Sequence, residues 1–441
     1  MGRSELHGRS RIVADQFRQA TLRVWQLITR ETRRANSPVS VRLSADHQQP
    51  EEVIEPQGFV LGPRRLCVRI APMAMIAWAR TYSVLLPGIM ATFSMSPGQG
   101  GKFIATIEGG SFFSLLLLGF AIERIGATRV VLVGLPTVSV SLVLMSSVQS
   151  SWLLVPTLVL LGSGMAWTAT GVNTLMAATG ERRSFYLGVT HSAFSAISVV
   201  APLIAGWVLV SHSWQTWYRG VSVLILCVTA IVWRFEVSSE KSNGQPDRES
   251  GDQSGATSSG PPVLTIGTIC LGVFAMAGVQ GVFNSWSYLY VTNLYEAKHE
   301  FASFAPACFW CGILGGRVGL TWAAQVFSVR ALLILSSLIP ALAIVAEYWC
   351  SSPWVALAAM LFAGIGVSGA YQLGTQWAAE RLPHRIGTAS TAVMACCWLG
   401  VGLWPWAAGV LIEETSYSGV LGIALAGSLV AALSFVTTSR G

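Results

Sequence analysis

Residues 238–262 read SSEKSNGQPDRESGDQSGATSSGPP, and this polar, Ser/Gly/Pro-rich run divides the apolar part of the chain into two sets. It has almost nothing to bury, which is the composition of a flexible linker. Upstream lie apolar windows near 69–92, 101–122, 127–147, 152–179, 186–210 and 219–235. Downstream lie windows near 263–291, 301–323, 328–349, 354–379, 385–411 and 418–437. A window of about 20 apolar residues crosses a hydrocarbon core of about 30 Å. The pattern therefore predicts twelve transmembrane helices, with bundles over 69–235 and 263–437 joined by a linker at 236–262. The whole chain agrees: 441 residues are 52% hydrophobic and 11% charged, with a mean hydropathy of +0.56. Soluble domains carry about 25% charged residues. The expected fold class is an all-α integral membrane protein, and a soluble enzyme is excluded.

Residues 1–68 read as an extramembrane tail. Twelve of the 28 basic residues are arginines within the first 69 positions, so the net charge of +7 belongs largely to this tail and does not point to nucleic acid. Val13, Phe17, Ala20, Val24 and Leu27 repeat at helical spacing, with Arg11, Arg18, Arg30, Arg33 and Arg34 facing elsewhere. Such a basic amphipathic helix can lie on anionic membrane lipid. The alternatives are an unstructured tail, a start codon placed too early, or an Arg-rich presequence. Residues 1–25 lack the apolar core of a secretory signal, leaving the first spanning helix to direct insertion. The eight cysteines lie mostly inside apolar windows and imply no disulfide framework.

Charge in the connections sets the topology. The 2/3, 4/5, 8/9 and 10/11 connections carry Arg124, Arg129, Arg182, Arg183, Arg317, Arg330, Arg381 and Arg385, whereas the opposite ones offer Lys102, Arg219 and Lys298. The positive-inside bias then places both termini in the cytoplasm, with the chain in the cytoplasmic (inner) membrane. The halves also repeat in sequence. GFAIERIG (119–126) matches GILGGRVG (312–319), AATGERR (177–183) matches AAERLP (378–383), and APLIAGWVL (201–209) matches WPWAAGVLI (404–412). Repeats in one order predict two parallel six-helix units with a solute cleft between them.

The segment Gly119-Phe-Ala-Ile-Glu123-Arg124-Ile-Gly126-Ala-Thr-Arg129 resembles the cytoplasmic loop motif of the major facilitator superfamily, with Glu123 where Asp is usual. The resemblance covers about residues 69–437 and implies a gating latch, in which carboxylate and guanidinium groups pair across the bundle interface. The competing reading is a solvated turn. In the second half Gly316 stands where Glu123 sits, leaving Arg317 as the remnant of that latch. Three stretches look most like the fucose permease-like branch: His191-Ser-Ala-Phe194 leading to Pro202 and Gly206, Gln280 to Tyr288, and Phe309 to Arg317. Gln280 stands where an acidic residue is usual, which weakens proton coupling through helix 7. What the resemblance implies is a secondary transporter that works by alternating access, without a cofactor, as a monomer.

Arg80 falls near the middle of helix 1, where a charge costs about 2.5 to 3.5 kcal/mol or more and must face protein or water. Glu108 on helix 2 lies at matching depth. Arg80 binds an anionic substrate, or the pair is a proton-sensitive coupling switch, or the pair is a structural bridge. Neutral polar groups form a second constellation: Asn173, His191, Gln280, Asn284, Tyr371, Gln372 and Gln376. Lipid tails cannot satisfy them, so they point into the bundle as interhelical glue or, taken together, as the lining of a cleft. His191 is a proton carrier or a buried, satisfied imidazole. Of the seventeen tryptophans, Trp286 and Trp398 are expected as cleft walls, since an apolar ring beside amides suits a sugar or a similar flat solute.

Cys308-x-x-Cys311 lies in an apolar helix with no second pair, so no metal site is expected. The chain holds no G-x-x-x-x-G-K, H-E-x-x-H or G-x-S-x-G motif, which argues against nucleotide-driven pumping and against catalysis. The sequence leads to a carrier of a small polar solute, a sugar or an organic anion, coupled to protons. The alternatives are an efflux carrier for amphipathic compounds and a non-transporting receptor or assembly protein.

Overall fold

The computed structural model describes residues 61–179, 182–237, 263–324, 326–350, 352–382 and 386–438, which all fall within one compact unit, Gly58–Gly441. The predicted amphipathic tail helix and the linker run 238–262 lie outside the described residues, as does Arg385.

Among the described residues the chain is all-α, with twelve helical segments of membrane length. They are α1 (Pro63–Ala79 and Tyr82–Thr92), α2 (Pro97–Ile125), α3 (Ala127–Met145), α4 (Ser151–Ala177), α5 (Arg183–Val208) and α6 (Trp214–Val232). The second set is α7 (Val263–Leu294), α8 (His299–Ala302 and Phe304–Ala323), α9 (Val329–Trp349), α10 (Pro353–Val367 and Ala370–Arg381), α11 (Ile386–Glu414) and α12 (Gly419–Thr437). Ten of these spans are individually long and apolar enough to cross a membrane, and the two pieces of α1, bent by 42°, make an eleventh. The remaining helix, α2, has 29 residues, about 43 Å at 1.5 Å per residue, and carries Glu108 in its interior.

Local chemistry places the helix ends. Pro63 and Pro353 occupy the first helical turn, where a missing N–H costs nothing. Ser96 and Gln99 form a reciprocal capping box at the start of α2. Gly126, at φ +83°, makes the one-residue turn between α2 and α3, a conformation that a side chain would strain. Arg330 donates to the carbonyls of Phe435 and Val436, neutralising the end of α12. We call the face that carries Arg124, Arg129, Arg182, Arg183, Arg330 and Arg381 the basic face.

Close helix contacts repeat between the halves. A side chain at Gly162 on α4 would collide with the Ile107 carbonyl of α2, and one at Gly110 with Val159. In α8 and α10, Gly312 meets the Leu361 carbonyl and Gly364 that of Phe309. Gly164 sits against Gly134 and Val138 of α3, and Gly366 against Ser336 and Pro340 of α9. Each second-half position lies 202 residues after its counterpart, as Gly110 and Gly312 show. This register corrects the match between 119–126 and 312–319, because Gly312 takes the packing place of Gly110 and not of Gly119. Gly162→Ala and Gly364→Ala should each cost about 1–3 kcal/mol through overpacking. Gly267→Ala, with open space around it, should leave the melting temperature in detergent unchanged.

Candidate functional site

The break in α1 brings a charge to the middle of the bundle. The helix stops at Ala79 and restarts at Tyr82, with the Thr81 hydroxyl donating back to the Trp78 carbonyl. Arg80, at the break, donates to Glu108 Oε1 in an ion pair whose side chains are 15% and 0% exposed. Tyr82 donates to the same oxygen at 3.2 Å. Glu108 Oε2 is buried without a hydrogen-bond partner. Gly402 of α11 leaves room for the glutamate, since a side chain there would press on Glu108 Cβ at 3.1 Å.

The network continues into the second half. Asn284 of α7 donates to Tyr82 Oη at 3.1 Å and accepts from Trp310 Nε1 of α8 at 2.8 Å. The Trp398 ring of α11 lies 5.7 Å from the Arg80 guanidinium carbon, a cation–π contact. Arg80, Asn284, Trp310 and Trp398 border a cavity of about 230 Å³ that also takes in Asn173, His191, Gln280, Tyr371 and Gln372. A larger space of about 720 Å³, lined by the basic-face ends of α4, α5, α8 and α10, adjoins it through Asn173, His191, Arg317, Tyr371 and Gln372. Asn173 Oδ1 is buried without a partner.

The opposite face is tightly packed between α2 and α11. Glu413 accepts hydrogen bonds from Ser96 Oγ and the Gly98 amide, each at 3.0 Å, at the N-terminus of α2. A side chain on Gly101 would press into the Trp406 backbone, and one on Gly409 into the Pro97 carbonyl. On the other side of the interface Gly206 of α5 abuts Ser303. Among the described residues the bundle is open toward the basic face and closed at the opposite one.

Several expected site residues fall elsewhere. Trp286 is fully buried and is not a cleft wall: its indole donates to the Pro405 carbonyl at 2.9 Å, knitting α7 to α11. Gln376 is exposed one turn beyond Gln372 and donates to Glu380 at 3.0 Å, so it lines neither cavity. Arg317 is not a loop residue. It lies within α8 and donates to the His191 carbonyl and to Ser195 Oγ of α5, at 2.8 and 2.6 Å. Glu123, Arg124 and Arg129 are exposed and make no hydrogen bond or ion pair among the described residues. Gly119 contributes helical backbone to α2, and its surroundings lie outside the described residues. Glu108 sits behind the cavity wall, with Arg80 between it and the cavity. Sequence reading passed over Tyr82, whose only signal is its place two residues after Arg80, and over Trp310, one of many deep tryptophans.

Among the described residues, twelve helices of membrane length surround a polar cavity, closed at one face and open toward the other, the architecture of a multi-pass membrane transport protein. The chain belongs to the Major Facilitator Superfamily, whose profile matches residues 70–405. It is thus a secondary transporter with a small-molecule substrate, and not an enzyme. No curated protein matches it in sequence. Among solved structures it is similar to a bacterial homologue of the human lysosomal transporter Spinster, in an inward-facing, unoccupied conformation. Identity there is 16%, over 85% of this chain and 96% of that one, with a TM-score of 0.65. It is also similar to a D-xylose–proton symporter, at 15% identity over 83% and 96% of the two chains and a TM-score of 0.63. The transporter FucP in its outward conformation matches at 15% identity over 85% and 100%, with a TM-score of 0.57. At these identities the likeness is one of fold.

Proposed function

We propose that this chain is a proton-coupled transporter that moves a small polar solute, a sugar or an organic anion, by alternating access. The observation that carries this reading is the Arg80–Glu108 pair at the wall of a mid-bundle cavity lined by Asn173, Gln280, Asn284, Tyr371, Gln372 and Trp398. Amide and phenol groups there offer donors and acceptors to hydroxyls, and the Trp398 face offers an apolar wall. Among the described residues Glu108 supplies the one buried carboxylate beside the cavity. Protonating it frees Arg80, so occupancy and proton load influence each other reciprocally. The bundles 69–235 and 263–437 would rock about this site, with His191 and Arg317 at its basic-face mouth.

The excess of arginine on the basic face supports both termini in the cytoplasm of a cell membrane, and the state described is then inward-facing. The residues His191 to Gly206, Gln280 to Tyr288 and Phe309 to Arg317 support placing the chain near the fucose permease-like branch. A second reading, an amphipathic cargo, draws on Met73, Ile76, Met165, Phe194 and Met394, which give the same cavity an apolar side.

The test is uptake into proteoliposomes under an imposed proton gradient, with a panel of neutral sugars, sugar acids and other organic anions. Solutes that raise the melting temperature of the purified protein come first, since a ligand of the folded state stabilises it. Accumulation that needs the gradient supports the reading. Stabilisation by an acid that vanishes in Arg80→Gln places the anion on Arg80, whereas stabilisation by neutral sugars that survives this change places the solute on the amides. No gradient-driven accumulation of any solute in the panel would contradict proton coupling.

A further inference from the structure

The hydrogen bonds around Tyr82 run in one direction, and that direction follows from donor chemistry. An indole N–H can only donate, so the Asn284 atom that Trp310 meets at 2.8 Å is the amide oxygen. The amide nitrogen then faces the other way, toward Tyr82 Oη at 3.1 Å. A phenol oxygen that accepts from an amide still has its own proton to give, and Glu108 Oε1 at 3.2 Å receives it. The chain therefore reads Trp310 to Asn284 to Tyr82 to Glu108, from α8 through α7 and α1 to α2. It crosses from one half of the molecule to the other. At its far end Arg80 also donates to Oε1, so one carboxylate oxygen takes both donors.

The ends of this chain differ in access. Trp310 and Asn284 border the cavity, whereas Tyr82 and Glu108 are each 1% exposed. We propose that Tyr82 is the positioning residue that ties occupancy of the cavity to the proton on Glu108. A solute acceptor that takes the Trp310 or Asn284 donors removes the amide that orients the Tyr82 phenol, which is then free to turn from Glu108, and Glu108 loses one of its two donors. A carboxylate with fewer donors binds a proton more readily. The proton comes from solution and goes to Glu108 Oε2, the buried oxygen that has no hydrogen-bond partner. Arg80 keeps its charge throughout, so the loaded site gains one positive charge. Solute and proton then enter together, and each raises the affinity for the other.

The other groups facing Glu108 are few. Arg80 and Tyr82 face it from α1, and the Cys397 thiol from α11 lies within its electrostatic reach. Helix α4, packed on the same glutamate-bearing helix, contains no titratable residue.

This inference rests on the coupling reading above, and its test needs no identified substrate. The proton on Glu108 is followed by infrared pH titration of the full chain in proteoliposomes, its carboxylic acid band assigned by loss in Glu108→Gln. A hydrogen bond to a charged group, converted at one pH unit per 1.36 kcal/mol, predicts that Tyr82→Phe protonates about one to two pH units higher than wild type. Trp310→Phe removes the link that orients Asn284 and should shift the titration in the same direction by less. It leaves Tyr82 in place, which guards against a local packing effect of the first variant. Identical midpoints in wild type and both variants would overturn the relay while leaving proton coupling intact. If no band lost in Glu108→Gln appears at any pH in any of the proteins, coupling through Glu108 fails and the relay fails with it.

Discussion

Arg80→Met is expected to abolish transport and to lower stability by about 3–5 kcal/mol, the cost of leaving a buried charge without its partner. Glu108 is fully enclosed, and the substitution takes away its guanidinium while leaving only the Tyr82 hydroxyl on Oε1. Glu108→Gln should cost less, because Arg80 borders the cavity and can be solvated from it. The double variant Arg80→Met/Glu108→Leu replaces both charges by apolar groups and should recover most of the melting temperature, since a buried pair can be exchanged for hydrophobic residues at little cost. It should not recover transport. Thermal unfolding in detergent beside proteoliposome flux separates the outcomes. A single Arg80→Met protein that melts and transports like wild type would remove the pair from the mechanism.

The second large effect is expected at the seam between α2 and α11. Gly101 and Gly409 let the helices meet backbone to backbone, and Glu413 caps the α2 N-terminus across the same seam. Gly409→Leu introduces a side chain that cannot fit while the opposite face is closed. A clash of about 3 kcal/mol changes a two-state population by about 100-fold. The variant should therefore rest open at the opposite face and stop transporting while remaining folded. Thiol labelling of a cysteine placed at Ala408, fully buried beside Gly409, on a background without the eight native cysteines, reads this directly. Labelling from the opposite face should rise in Gly409→Leu and stay low in the parent protein.

The sequence carried the fold because the decisive features are local. Apolar windows of spanning length, one polar break at 238–262 and arginines in alternate connections follow from hydropathy and charge alone. The site was legible where a residue is costly in lipid for its own sake. Arg80, Glu108, Asn173, Asn284 and Gln372 had to face inward, and the structure gathers them in or behind the cavity. What sequence reading could not supply was rotation about each helix axis. Trp286 and Trp398 look alike as deep tryptophans, yet one is spent on the Pro405 carbonyl and the other lies over Arg80. Gln376 follows Gln372 by one turn and has already left the cavity for the basic face. Arg317 resembled a loop arginine because the halves were aligned through a glycine pattern. The packing glycines instead set an offset of 202 residues, as Gly162 and Gly364 show, which puts Arg317 inside α8. Tyr82 gave no signal, since a tyrosine in an apolar helix acquires a role only from the neighbours that other helices bring to it.

The central claim is that the two faces open in turn around the Arg80–Glu108 site. Paired spin-label distances test it most directly, with one pair at Lys102 and Glu414 on the opposite face and another at Ala178 and Glu380 on the basic face. All four positions are exposed. In lipid across a range of pH, the account predicts two distances for each pair, with the longer one at one face rising as the longer one at the other falls. A single unchanging distance at both faces, or two pairs that lengthen together, would contradict it.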